Sequence, residues 1–122
     1  MLENVFVRKE DLIKKKTAEG IYLQDLGKGK LMSGFRWTIE DGRCVDWHNH
    51  PSEQFGFVIR GGFHVILDDG NVREEYTISA GDCYFLPPYL KHKFIAIGET
   101  EVIDIFNPIK EDIPFAPLED AE

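Results

Sequence analysis

The sequence predicts a single all-β domain, a sandwich or barrel of short strands, and three observations carry that expectation. From Gly20 onward, apolar, β-branched and aromatic runs alternate with clusters of Gly, Asp, Asn and Pro, the pattern of strands separated by turns. The runs recur at intervals of about 8–12 residues, the spacing of antiparallel sandwiches and barrels. The length, 122 residues, suffices for one well-buried core and leaves no room for a second folded unit.

Strands are expected at 20–26, 31–40, 44–49, 54–60, 63–67, 72–78, 83–86, 92–97 and 102–106. Turn chemistry falls between them at Gly27-Lys28-Gly29, Asp41-Gly42, Gly61-Gly62, Asp68-Asp69-Gly70-Asn71, Ala80-Gly81-Asp82, Pro87-Pro88 and Gly98-Glu99, because Gly and Asn tolerate positive φ and Pro presets it. Ahead of the barrel, residues 1–19 read as an N-terminal arm with a short strand, a helical turn around 10–16 and a loop. Residues 20–107 form the barrel. The tail 108–122 carries Pro108, Pro114 and Pro117 and ends acidic, so it is expected to lie across the surface or hang free.

A hydrophobic share of 43%, with 12% aromatic and 30% charged residues, is that of a globular protein. The formal net charge of -8 excludes a role that depends on neutralising phosphates, so neither nucleic acid nor a membrane surface is an expected partner. The one basic run, Lys14-Lys15-Lys16, reads as a solvated face. The first ten residues hold no apolar stretch of signal-peptide length and no run approaches the length that spans a bilayer, which makes the cytoplasm the expected compartment. Cys44 and Cys83 are far apart and lack a CxxC partner, and are expected to be free, half-buried thiols.

The residues most informative about chemistry lie in Asp46-Trp47-His48-Asn49-His50-Pro51-Ser52-Glu53-Gln54. Alternation along a strand puts His48 and His50 on one face. Gln54 is an even number of residues from His50, so a simple bend at Pro51 returns it to that face, whereas Glu53 has the opposite parity and should point away. His92 opens a later strand and supplies a third imidazole. Three neutral imidazoles and one carbonyl oxygen suit one divalent ion such as Mn, Fe, Co, Ni or Zn and leave positions open for water or substrate. His64 alternates against Phe63 and Val65 and is read as an ordinary satisfied histidine, outside the site.

The frame around these residues resembles both motifs of the cupin superfamily over roughly residues 20 to 107. In the first motif Gly42 is followed by His48, His50, Gln54 and Gly61; in the second, Gly81 is followed by Pro87 and His92. Gln54 stands where the family usually has an acidic ligand, Tyr89 where it usually has Gly, and Ala96 where it usually has Asn. The resemblance implies a double-stranded β-helix, or jelly-roll, barrel with a metal near its wide end, and often a homodimer built by packing outer sheet faces. With Gln rather than an acid, the pocket keeps the full dipositive charge, which favours an anionic ligand.

Asp104 interrupts the apolar strand Val102-Ile103-Asp104-Ile105-Phe106 at the parity of Val102 and Phe106. Burying it is costly unless it is paired, hydrogen-bonded or protonated. It is a candidate acid or base, and equally a solvent-facing residue or one bonded to backbone or to a dimer partner. The closing segment resembles that of the pectin-degradation protein KdgF and its relatives. In that group the residues matching Asp104 and Phe106 line the metal pocket and an Arg stands where this chain has Lys110. The resemblance implies opening of the ring of 4,5-unsaturated monouronates, with a small anionic sugar as substrate, Asp104 moving the proton, Lys110 neutralising charge, and Phe57, Phe85, Phe94 and Phe106 as apolar walls. An Fe-dependent dioxygenase and a non-catalytic metal- or carbohydrate-binding module are the alternatives.

Overall fold

A computed structural model describes residues 5–110. After a short 3-10 turn at Lys9–Asp11 come eight strands: β1 Lys14–Ala18, β2 Ile21–Lys28, β3 Ser33–Ile39, β4 Cys44–His48, β5 Glu53–Asp68, β6 Arg73–Ser79, β7 Cys83–Leu86 and β8 Lys91–Asn107. Every pairing is antiparallel, and the order runs β1-β2-β3-β8-β5-β6, with β4 added to β8 and β7 to β5. The sheet folds over as a jelly roll without closing into a continuous ring of hydrogen bonds. The expectation of an all-β jelly roll holds.

The two long strands organise it. β5 and β8 pair along most of their length, from Glu53↔Asn107 to Asp68↔Lys91. Sequence reading splits each into two strands; the structure instead carries the chain through the expected turn positions without losing the ladder. At Gly61 φ is +74°, a left-handed conformation open to glycine, and an added Cβ would overlap the Glu99 carbonyl and Thr100. The bend is pinned by Thr100, whose hydroxyl donates to the Gly62 carbonyl at 2.9 Å and accepts from the Gly62 N–H at 3.2 Å. Gly98, at φ +74°, turns β8 at the same level. One half of β8 therefore pairs with β4 and the other with β3, which puts residues from distant parts of the chain around one interior.

Alternation does the rest. Phe35, Trp37 and Ile39 on β3, Val58, Phe63 and Val65 on β5, and Phe94, Ala96, Val102 and Phe106 on β8 all point inward and are buried. Apolar burial of this kind is the main stabilising term, about 25 cal/mol per Å² removed from water. Polar residues on the same inward parity, Gln54, His92 and Asp104, are equally buried, and they mark the site.

Two local expectations are corrected. The helical turn around 10–16 shrinks to Lys9–Asp11, and Lys14–Lys16 lie in β1, their backbones paired to Gln24, Leu23 and Tyr22. Sheet pairing overrides local preference there, while the lysine side chains remain solvated as expected. Cys44 and Cys83 are exposed rather than half-buried, because each alternates against an inward neighbour, Val45 and Tyr84. The tail beyond Lys110, with Pro114 and Pro117, lies outside the described residues. Among the described residues no helix is long and apolar enough to cross a membrane.

Candidate metal centre

His48 closes β4, His50 follows it in the connecting loop, Gln54 enters β5 and His92 enters β8. Pairing of β4 with β8 sets His48 opposite His92, and the loop carrying Pro87–Leu90 is fastened by the Tyr89 N–H donating to the His50 carbonyl at 2.8 Å. The three imidazoles converge: ring centroids lie 4.1 Å apart for His48 and His92, 5.2 Å for His50 and His92 and 5.8 Å for His48 and His50. One nitrogen of each falls within 4.8 Å of the others.

Which nitrogen faces the centre follows from the hydrogen bonds. The Nδ1–H of His48 donates to the Asp46 carbonyl at 2.9 Å, that of His50 to Ser52 at 2.9 Å and that of His92 to Leu90 at 2.8 Å. A carbonyl has no proton to give, so each ring carries its proton on Nδ1 and turns a bare Nε2 lone pair inward. This is the tautomer that metal-bound histidines adopt when a backbone carbonyl fixes the ring. All three rings are held neutral: burial pushes His48 down to about 4, His92 down to about 3, and His50 below its ordinary value. The Lys110 ammonium adds to the lowering at His48 and His50.

Two atoms test whether a metal fits. The Nε2 of His92 is buried with no hydrogen-bond partner among the described residues, a costly state for a polar atom that a cation would relieve. The Nε2 of His50 lies 2.9 Å from Gln54 Oε1. With the His50 proton on Nδ1, both of these atoms are acceptors, an arrangement that a cation bound by both would satisfy. The donor set of nitrogen and amide oxygen suits a borderline divalent transition ion. The residues therefore fit the metal that the sequence implies, and the three histidines form the group that could hold it.

Asp104 lies on the next inward position of the wall. It is 2% exposed, and Tyr84 donates its hydroxyl to Asp104 Oδ1 at 2.6 Å. The Gln54 amide lies beside both Asp104 and Tyr84 and favours their charged forms. Burial pushes the Asp104 carboxyl up to about 6, against the hydrogen bond from Tyr84 and the Gln54 amide, which pull it down. Phe106 is fully buried and meets His50 edge-on at 5.2 Å and Phe35 at 5.7 Å. A cavity of about 10 Å³ adjoins Gln54, Tyr84 and Asp104. That is room for about one water.

The structure thus brings together His48, His50, Gln54, His92, Asp104 and Phe106, with Lys110 near enough for its charge to be felt. The Lys110 backbone N–H donates to Ser33 Oγ at 3.0 Å, tying the chain after β8 to the start of β3. Glu53 is exposed and Gln54 is buried, as parity requires. His64 pairs with Glu75 at 2.9 Å on the outer surface. The reading of Phe57 and Phe85 as pocket walls is corrected: they are 39% and 67% exposed and face outward, since they alternate against Gly56 and Tyr84. Trp37 and Phe63 line the interior instead. Tyr84 is the residue that sequence reasoning missed; its parity with Leu86 on β7 is the signal that would have found it.

A cupin-domain family model matches residues 35–106. Among curated proteins, 3-hydroxyanthranilate 3,4-dioxygenase of Burkholderia cenocepacia is 34% identical over 62 residues, which cover 49% of this chain and 35% of that protein. The chain thus spans about a third of the length of the curated relative it matches. Among solved structures, an RmlC-like cupin from Shewanella frigidimarina superposes with a TM-score of 0.79 at 26% identity, covering 90% of this chain and 96% of its own. KdgF from Halomonas sp. superposes with a TM-score of 0.79 at 23% identity, covering 89% and 97%; at that identity the likeness is one of fold.

Proposed function

Because the chain belongs to the cupin family, we propose that its metal centre serves an enzyme acting on a small anionic sugar, opening the ring of 4,5-unsaturated monouronates. The observation that carries this reading is the buried Asp104, held by Tyr84 with its carboxyl at about 6, in the same cavity as Gln54, whose oxygen faces His50. A group of that acidity both gives and takes a proton near neutral pH. The reaction suits it: the hemiacetal opens, its hydroxyl proton leaves, the former alkene carbon is protonated, and no atom is gained or lost overall.

A bound divalent ion would supply Lewis acidity and fixed positive charge, with His48, His50, His92 and Gln54 holding it. Gln54 adds no negative charge, so the pocket keeps its attraction for a carboxylate. Lys110 adds a second positive charge on the same side, and Phe106 closes the apolar floor against His50. Asp104 moves the proton. The test is the absorbance of the unsaturated monouronate, followed with metal-loaded and metal-free protein; decay no faster than in buffer would sink this reaction.

Gln54→Glu is expected to bind metal at least as tightly and to weaken anion binding on the order of tenfold, about 1.4 kcal/mol. The new carboxylate would cancel metal charge and also sit against Asp104. Calorimetric titration with a uronate measures it, and unchanged anion affinity would remove Gln54 from the ligand set.

The local identity to a 3-hydroxyanthranilate dioxygenase favours a second reading, an Fe-dependent dioxygenase. Iron as the metal that copurifies, together with oxygen uptake and no loss of the uronate chromophore, would establish it in place of the first. A centre that binds metal and sugar without turnover would make the protein a binding module.

The outer face offers Phe85 tilted against Phe55, with ring centroids 4.9 Å apart, and Phe57 exposed on the same strand as Phe55. We assign this apolar face to a second copy of the chain, as in a homodimer packed through outer sheets. Phe85→Asp is then expected to convert a dimer to a monomer in sedimentation, and an unaltered sedimentation coefficient would reject it. The proposed compartment is the cytoplasm, where exposed Cys44 and Cys83 stay reduced.

A further inference from the structure

Tyr84, Gly56 and Asp104 are successive neighbours across the sheet: Gly56 of β5 is paired to Tyr84 of β7 on one side and to Asp104 of β8 on the other. Adjacent strands lie about 4.8 Å apart, so the two outer residues are about two such spacings from each other. A Cβ on Gly56 would overlap the Tyr84 ring. The ring therefore lies over the bare backbone of Gly56 and reaches the third strand, where its hydroxyl meets Asp104 Oδ1 at 2.6 Å. Gln54, two residues before Gly56 on the same face, lines the same cavity as both partners, while its oxygen faces His50.

This arrangement is expensive as mere packing. A buried tyrosine hydroxyl needs one acceptor, and a backbone carbonyl would serve at no electrostatic cost; pairing it with a buried carboxyl keeps an ionisable group in the interior. We infer that Tyr84 is a positioning residue for Asp104, reaching it across the gap at Gly56 and fixing how the carboxyl is presented to the histidine centre. The inference rests on the proposed role of Asp104 as the proton-moving group, and it adds a residue and a device, the glycine gap, to that role. Tyr84 itself supplies no ligand atom to the histidine centre; it acts through Asp104.

The test uses Tyr84→Phe, which keeps the ring and removes the hydroxyl. In protein labelled with ¹³C at aspartate carboxyl carbons, the Asp104 signal is identified by its loss in Asp104→Asn. That signal is expected to move in Tyr84→Phe, with metal and without it, at unchanged metal content. On the unsaturated monouronate, kcat should fall about 10–100-fold with KM little altered, the scale expected when a reacting group is misplaced. In an Asp104→Asn background the same substitution should add nothing, because the two residues act as a unit. The reciprocal measurement, the Tyr84 Cζ signal in Asp104→Asn, should move as well and does not depend on the stability of the Tyr84 variant. An Asp104 signal that stays in place, or an equal loss of kcat on top of Asp104→Asn, would overturn the inference. If the wild-type protein does not act on the uronate, the reaction assignment fails while the carboxyl signal, which needs no substrate, still decides whether Tyr84 holds Asp104.

Discussion

Replacing His92 by alanine is expected to strip the protein of most of its divalent metal while leaving the barrel folded. His92 is 1% exposed and its inward nitrogen has no hydrogen-bond partner among the described residues, so the atom lost is the one proposed to bind the metal. Loss of a supporting residue around a metal typically costs 10–100-fold in affinity; loss of a ligand itself should exceed about 100-fold. The fold should tolerate the change, because the core is carried by Trp37, Phe63, Phe94 and Phe106 rather than by the imidazole. Elemental analysis of protein purified without an affinity tag, alongside a thermal melt, measures both. Retention of a full complement of metal would show the ligand assignment to be wrong.

Asp104→Asn is expected to lower turnover of the unsaturated uronate by about 10²–10⁴-fold with metal content intact, the range that a single acid–base group contributes. Asparagine has nearly the same shape, and its carbonyl can still accept the Tyr84 hydroxyl, so a loss of rate reports the missing proton carrier. Stability should move the opposite way. Burial raises the Asp104 carboxyl to about 6 in the folded chain from an ordinary 3.8. The folded state therefore holds its proton longer than the unfolded one, and stability declines as pH rises from about 4 to about 6. Above that window the neutral asparagine should melt higher than the wild type, and a melt that is lower at pH 8 would mean the carboxylate is better solvated than its burial implies. Such an exchange of stability for chemistry is common at functional sites.

Much of this was legible in the sequence, for reasons that differ residue by residue. The opposite facing of Glu53 and Gln54 follows from the period of two along a strand, whereas His48 reaches the interior past a register shift after Val45 and His50 does so from the loop beyond β4. Asp104 was visible as a polar residue at core parity, but its partner was not. Tyr84 lies 20 residues away, and only the joint pairing of β5 with β7 and β8 brings the two together. The joins in β5 and β8 were illegible because Gly61-Gly62 and Gly98-Glu99 are good turn residues, and the same freedom at positive φ serves a bend within a continuous ladder. Phe57 and Phe85 were misread because bulk apolarity gives no direction; the parity of Gly56 and Tyr84 does.

The three carbonyls that hold the Nδ1 protons, together with the burial that keeps the rings neutral, have a consequence for competition between protons and metal. A free imidazole titrates near 6.5, so an ordinary histidine site begins to trade metal for protons just below neutrality. Here His48 and His92 give way only at about 4 and about 3. An ion captured by these two rings at neutral pH would displace no protons from them, and its binding is expected to stay level through the mildly acidic range where an exposed histidine cluster would already be letting go.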